Sequence, residues 1–142
     1  MTHISVSARR WLAEPVDNTT LVLFRIGYGF LVAVELGRAW SERVEMLSVR
    51  PVRFPYAGWE WLPLLPPQAA VLVHAGLFLC CICIAAGLWF RVAAPLFALG
   101  YTYSFLLDRA YFNNHFYHIC LLGGWLAVGS ASRRWSVDAL RR

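Results

Sequence analysis

The stretch from Ala69 to Phe90, AAVLVHAGLFLCCICIAAGLWF, runs through 22 positions without a charged residue and decides the class of the fold. A helix of this length rises about 33 Å at roughly 1.5 Å per residue, enough to cross a hydrocarbon core about 30 Å thick with some tilt. His74, near its start, is placed to bond water or a carbonyl at the interface. On its N-terminal side a second apolar run extends from Thr19 to Trp40, interrupted by Arg25, Glu35 and Arg38. Such charges cost on the order of 2.5–3.5 kcal/mol each at a helix centre, so they need partners or a route to water. Glu35 and Arg38 are neighbours on one helix face, close enough to the end to reach the interface. Arg25 lies one to two turns inside the opposite end, where both snorkelling and a buried pair with an acidic residue of another helix fit. On the C-terminal side, Arg91 ends the central run and Val92–Leu107 form a third, shorter crossing with Pro95 in its first turn, where a missing amide hydrogen does little harm. A fourth spans Asn114–Ser132, with Gly123, Ala127 and Ala131 on one stripe of small residues that permits close helix approach in lipid.

The whole chain agrees with these segments. Of 142 residues, 59% are hydrophobic and 15% charged, against about a quarter charged in soluble domains, which excludes a large soluble domain. The expected fold is an all-α, polytopic membrane bundle of about four transmembrane helices, 19–40, 69–90, 92–107 and 114–132, in one domain from 19 to 142. The partner this implies is the lipid bilayer. All 13 basic residues are arginine. No basic run exceeds two residues, so the net charge of +5 reads as topology signals rather than a nucleic-acid footprint. Arg9, Arg10, Arg91, Arg133, Arg134, Arg141 and Arg142 fall on one side, against Arg43, Arg50, Arg53 and Arg109 on the other, which places both termini, including residues 1–18, in the cytoplasm. Glu14, Pro15 and Asp17 follow Arg9 and Arg10, a pattern unlike a secretory signal. The loop Ser41–Pro67 is expected to lie in the headgroup region, anchored by Trp59 and Trp61. Cys80, Cys81, Cys83 and Cys120 all lie in apolar runs and read as free thiols.

Polar residues concentrate between crossings three and four. The sequence FLLDRAYFNNHFYHICLL packs Asp108, Arg109, Asn113, Asn114, His115, Tyr117 and His118 into 11 positions. Polar groups at membrane depth are costly unless paired or lining a wet cavity, so the cluster is a candidate site. Capping of the fourth helix by an asparagine is the competing explanation. His115 and His118 could supply two metal ligands and Asp108, across a helix break, a third. That is a thin set where three or four ligands are wanted, and no metal is expected.

The runs LVLFRIGYGFLVAVE, RPVRFPYAGWEWLPLLPP, GLWFRVAAPLFALGYTYSFLLDRAYFNNHFYHICLL and RRWSVDAL, in this order, resemble the vitamin K-dependent gamma-carboxylase family and its bacterial HTTM-domain relatives, over the N-terminal half of the membrane domain. The LLD–NNH motif and WSVD are its specific parts. The resemblance implies a lyase-type membrane enzyme of a bacterial inner membrane. Such an enzyme uses reduced vitamin K or another quinol, with oxygen and carbon dioxide, to carboxylate glutamate. It implies that Asn114 and His115 orient the quinol oxygens, with the quinone tail along crossings two to four; Asn113, Asp108, Tyr117 and His118 of the polar cluster, with Arg25, are the further substrate-binding candidates. The family's base is a lysine downstream of WSVD, and this chain has no lysine; arginine stays protonated and cannot replace it. The chain alone is therefore expected to be inactive, and three explanations stand: a truncated gene product, a fragment or split subunit completed by a second polypeptide that carries the missing half, or a small bundle that kept quinone binding and lost the base. A non-enzymatic accessory subunit, similar to small DoxX-type four-helix proteins, is the alternative.

Overall fold

The computed structural model describes residues 19–49, 52–129 and 136–137. The N-terminal segment 1–18, Arg50, Ala131 and, of the WSVD motif, Trp135 and Asp138 lie outside the described residues. Within them the chain is helical: α1 (Thr19–Arg38), α2 (Trp40–Leu47), α3 (Pro67–Ala86), α4 (Phe90–Leu107), a 3-10 turn (Arg109–Tyr111) and α5 (Asn114–Val128). The only strand-like pairing among the described residues is a bridge between Ser48 and Leu65.

Three of these helices, α1, α3 and α4, are long and apolar enough to cross a membrane. Where a fourth crossing was expected, the structure has the 15-residue α5, about 22 Å of helix, shorter than the three helices that meet the length of a span. Consecutive long helices pack on one another, α1 on α3, α3 on α4 and α4 on α5, around a core of Val32, Leu36, Leu77, Cys81, Ile84, Phe90, Phe97, Tyr101 and Leu126. The outside is as apolar as the inside. Leu31, Leu72, Leu79, Leu99, Trp125 and Val128 are all exposed, a surface that lipid solvates and water would not.

The structure moves several boundaries for local reasons. α3 runs Pro67–Ala86, not 69–90. Pro67 fits its first turn, where no amide partner is needed. Gly87, at φ +67°, closes it, with the Leu88 amide returning to the Cys83 carbonyl at 2.9 Å. α4 resumes at Phe90, two residues earlier than expected. Pro95 is consequently its sixth residue, beyond the four amides that lack helical partners, so the ring interrupts the hydrogen-bond ladder rather than sparing it.

The segment expected to be loop from Ser41 begins instead as α2, an eight-residue helix that buries Arg43, Met46 and Leu47 on one face. The rest of the interfacial segment is tied down by backbone bonds. Val49 N–H donates to the Leu65 carbonyl at 3.0 Å and Arg109 N–H to the Phe54 carbonyl at 2.8 Å. Arg53 bonds the carbonyls of Leu62 (2.5 Å) and Glu60 (2.7 Å). Trp59 and Trp61 stack on each other, both exposed. All four cysteines are free thiols, with Cys81 fully buried.

Candidate functional site: a lateral groove between the first and last helices

α1 and α5 approach each other at Tyr28, whose hydroxyl donates to the Ile119 carbonyl at 2.7 Å and lies where a side chain at position 123 would otherwise be, against Gly123. Below and above this bond the helices stand apart and leave a groove of about 410 Å³. α1 contributes Phe24, Gly27, Tyr28, Leu31, Val32 and Glu35, and α5 contributes His115, His118, Ile119 and Leu122. On each helix these positions recur at three- and four-residue steps, which places them on one face. The wall is hydrocarbon, and the groups Glu35, His115 and His118 supply polarity at the end where α5 begins. Its size lies within the range of small-molecule sites.

Of the residues expected to form a site, the structure brings His115 and His118 into this groove. Asn113 caps α5, its side-chain oxygen accepting from the His115 amide at 3.3 Å, so the capping explanation holds for this residue. Asn114 is exposed and offers its backbone carbonyl to His118 Nδ1 at 2.6 Å. Asp108 is buried and caps the 3-10 turn, accepting from the Ala110 amide at 2.8 Å. Tyr117 turns away from the groove toward Phe105, with ring centroids 6.3 Å apart. Arg25 does not join them. It is wholly buried at the opposite end of the bundle, its guanidinium beside Gly87 and Ser136, which fits a buried role there and not snorkelling. The groove that takes in His115 lies between the first and fourth crossings rather than along the second to fourth.

Two residues at this end were not singled out from sequence. Glu35, expected beside Arg38, forms no ion pair with it among the described residues and instead lines the groove. It shares a helix face with Tyr28, seven residues earlier, and a carboxylate in register with a groove-lining tyrosine is the signal that would have found it. Arg43, expected as a loop charge, is 7% exposed. Its guanidinium stacks 3.9 Å from the Phe116 ring centroid and bonds the Tyr101 hydroxyl at 3.3 Å. A buried guanidinium over an aromatic face is worth about 0.5–2 kcal/mol, and here it fixes the residue next to His115 against the core. Nearby, His74 is buried and donates from Nε2 to the Leu36 carbonyl at 3.1 Å, a carbonyl bond of the kind expected for it. That carbonyl belongs to the last turn of α1, where backbone acceptors lose their helical partners. Facing the polar turn, the Tyr56 hydroxyl is buried with no hydrogen-bond partner among the described residues. Burial first, and then the Asp108 carboxylate, push it above the usual phenol range.

Long apolar helices, a lipid-compatible exterior and a lateral groove with its polar groups at one end define a polytopic helical membrane protein. The sequence model of the HTTM domain matches residues 13–142, and the chain belongs to that family, which groups it with the vitamin K-dependent gamma-carboxylase-like membrane proteins. No solved structure matches the chain. Among the described residues no group of three or more His, Cys, Asp or Glu side chains is arranged to hold a metal ion.

Proposed function

We propose that this protein binds an amphipathic quinol, reduced vitamin K or a bacterial counterpart, in the α1–α5 groove, in a bacterial inner membrane with both termini cytoplasmic. The observation that supports this reading is that His115 and His118, from the family's NNH segment, line an apolar groove of about 410 Å³ together with Glu35. The residues fit such a ligand. Leu31, Ile119 and Leu122 match a hydrocarbon tail and ring, and the imidazoles match ring oxygens. A quinol, when bound, supplies the reducing equivalents and the nascent oxyanion of the family's chemistry. What this chain contributes is orientation of the ring, shielding of its face from water, and hydrogen bonding to its oxygens.

Carboxylation additionally needs a base. These residues include no lysine, so we assign that part to a segment outside them, in this polypeptide or a second one. Given reduced vitamin K, oxygen, carbon dioxide and a glutamate peptide, the purified chain is expected to show binding without turnover. Binding is tested by calorimetric titration of a short-tailed naphthoquinol into the chain in lipid nanodiscs. His115→Ala is expected to weaken affinity about tenfold, the loss of one hydrogen bond and the ring's packing on the ligand. Equal affinity for wild type and variant removes His115 from the site, and no binding to either refutes the reading.

The accessory-subunit reading draws on a different surface, the outer face of α5, where Trp125 is 77% and Val128 89% exposed. Under that reading His115→Ala leaves partner assembly intact, and no quinol binds.

A further inference from the structure

The groove has a hydrogen-bonding sense that follows from one contact. The Asn114 backbone carbonyl can only accept a hydrogen, so the 2.6 Å contact with His118 Nδ1 places the ring proton on Nδ1. With the ring in its neutral form, Nε2 is then the bare acceptor. Across the groove Glu35 presents a carboxylate, also an acceptor. Neither group cancels the other. No ion pair joins Glu35 to His115, His118 or Arg38 among the described residues, and the two acceptors line one shared space.

We propose that Glu35 and His118 Nε2 form an acceptor pair that selects the ligand's head group by its hydrogen-bond donors. A ring hydroxyl satisfies the pair. A ring carbonyl or an ether oxygen sets acceptor against acceptor at a half-buried carboxylate and an exposed imidazole in an apolar groove, and gains neither hydrogen bond. The inference rests on the groove being the ligand site. It adds which side chains read the head group and in which direction the hydrogen bonds run, and it assigns a role to Glu35. Because α1 carries one acceptor and α5 the other, a donor head group also ties the two helices together at the end where Tyr28 does not reach.

The test uses the full chain in phosphatidylcholine nanodiscs and two probes of the same shape, octylhydroquinone and its dimethyl ether, titrated by calorimetry. The hydroquinone is expected to bind about tenfold more tightly than the ether, the effect of one to two satisfied acceptors. His118→Phe, which keeps an aromatic ring, and Glu35→Met, which keeps the length, should each pull that ratio toward one. Leu99→Ala, exposed on α4 and outside the groove lining, should leave it unchanged and so controls for partition into the bilayer. Equal binding of the two probes to wild type, or a ratio that neither groove substitution moves, overturns the acceptor pair while leaving the groove as a ligand site. Failure of both probes to bind overturns the groove reading and this inference with it.

Discussion

Two glycines, two residues apart on α1, meet opposite surroundings. At Gly29 a β-carbon would lie 2.6 Å from the Ala85 backbone nitrogen and 2.8 Å from the Cys81 carbonyl oxygen, so α1 rests directly on the backbone of α3. At Gly27 a β-carbon would meet nothing within 4 Å, because that face looks into the groove. One helix is thus sealed on one side and open on the other, and the spacing is set residue by residue. In lipid, water does not drive helices together, so contact between backbones needs small residues. Where Tyr28 projects instead, α5 is held at the length of a tyrosine side chain. The groove is therefore as much a consequence of the packing as the seam is.

The sharpest way to break this contrast is at the sealed side. Gly29→Ala places a methyl group against backbone atoms, which cannot rotate away, and overpacking of this kind costs about 1–3 kcal/mol, here toward the upper end. The thermal unfolding midpoint in detergent should fall clearly. An unchanged midpoint would mean that α1 does not rest on α3 as described.

A smaller effect is expected at the strut. Tyr28→Phe keeps the ring against Phe97, whose centroid is 6.1 Å away, and removes only the 2.7 Å bond to the Ile119 carbonyl. One such bond contributes about 1 kcal/mol. Spin labels on the exposed faces of α1 and α5 should report a broader separation between the helices. A distribution as narrow as that of the wild type would show that packing alone sets the width.

How much of this could be read beforehand differs along the chain for physical reasons. The central crossing was plain because no charge interrupts it, and its end was misplaced only because Gly87, which turns the chain at positive φ, sits inside an otherwise apolar run. The helix Trp40–Leu47 was missed because WSERVEML mixes charges into a short segment. Its buried face, Arg43, Met46 and Leu47, becomes a pattern once the arginine is allowed to stack on Phe116. His115 and His118 stood out as polar residues in a greasy context, and Asn113 was legible as a cap. Glu35 and Arg25 were visible as charges but not as to destination. Which faces of α1 and α5 oppose each other is a tertiary fact, and that pairing alone brings Glu35 to the imidazoles and sends Arg25 to the other end.

The same reasoning gives a change of opposite sign near the groove's polar end. The Tyr56 hydroxyl is buried with no hydrogen-bond partner among the described residues, while its ring packs on Phe105 at 5.6 Å. Tyr56→Phe keeps the ring contact and removes an unsatisfied polar group, so stability should rise by up to about 1 kcal/mol. A fall in the unfolding midpoint would reveal a hydrogen bond that the hydroxyl makes in the membrane, and would make Tyr56 part of the polar network around Asp108.

The smallest expected effect on the fold belongs to Gly27, and it separates the groove as a site from the groove as mere spacing. Gly27→Leu adds a branched side chain into open space. It replaces a residue of poor helix propensity with a good one, a gain of about 0.5–1 kcal/mol, so the unfolding midpoint should hold or rise slightly. The same side chain occupies the volume between Phe24, Leu31 and Ile119 that a ligand's ring would need. Affinity for a short-tailed naphthoquinol should then fall more than tenfold in a protein that is no less stable. Gly29→Ala cannot give that combination, because damage to the seam lowers stability and binding together. Retained binding in a stable Gly27→Leu variant would move the ligand out of the α1–α5 groove, and the open side of α1 would then be explained by lipid alone.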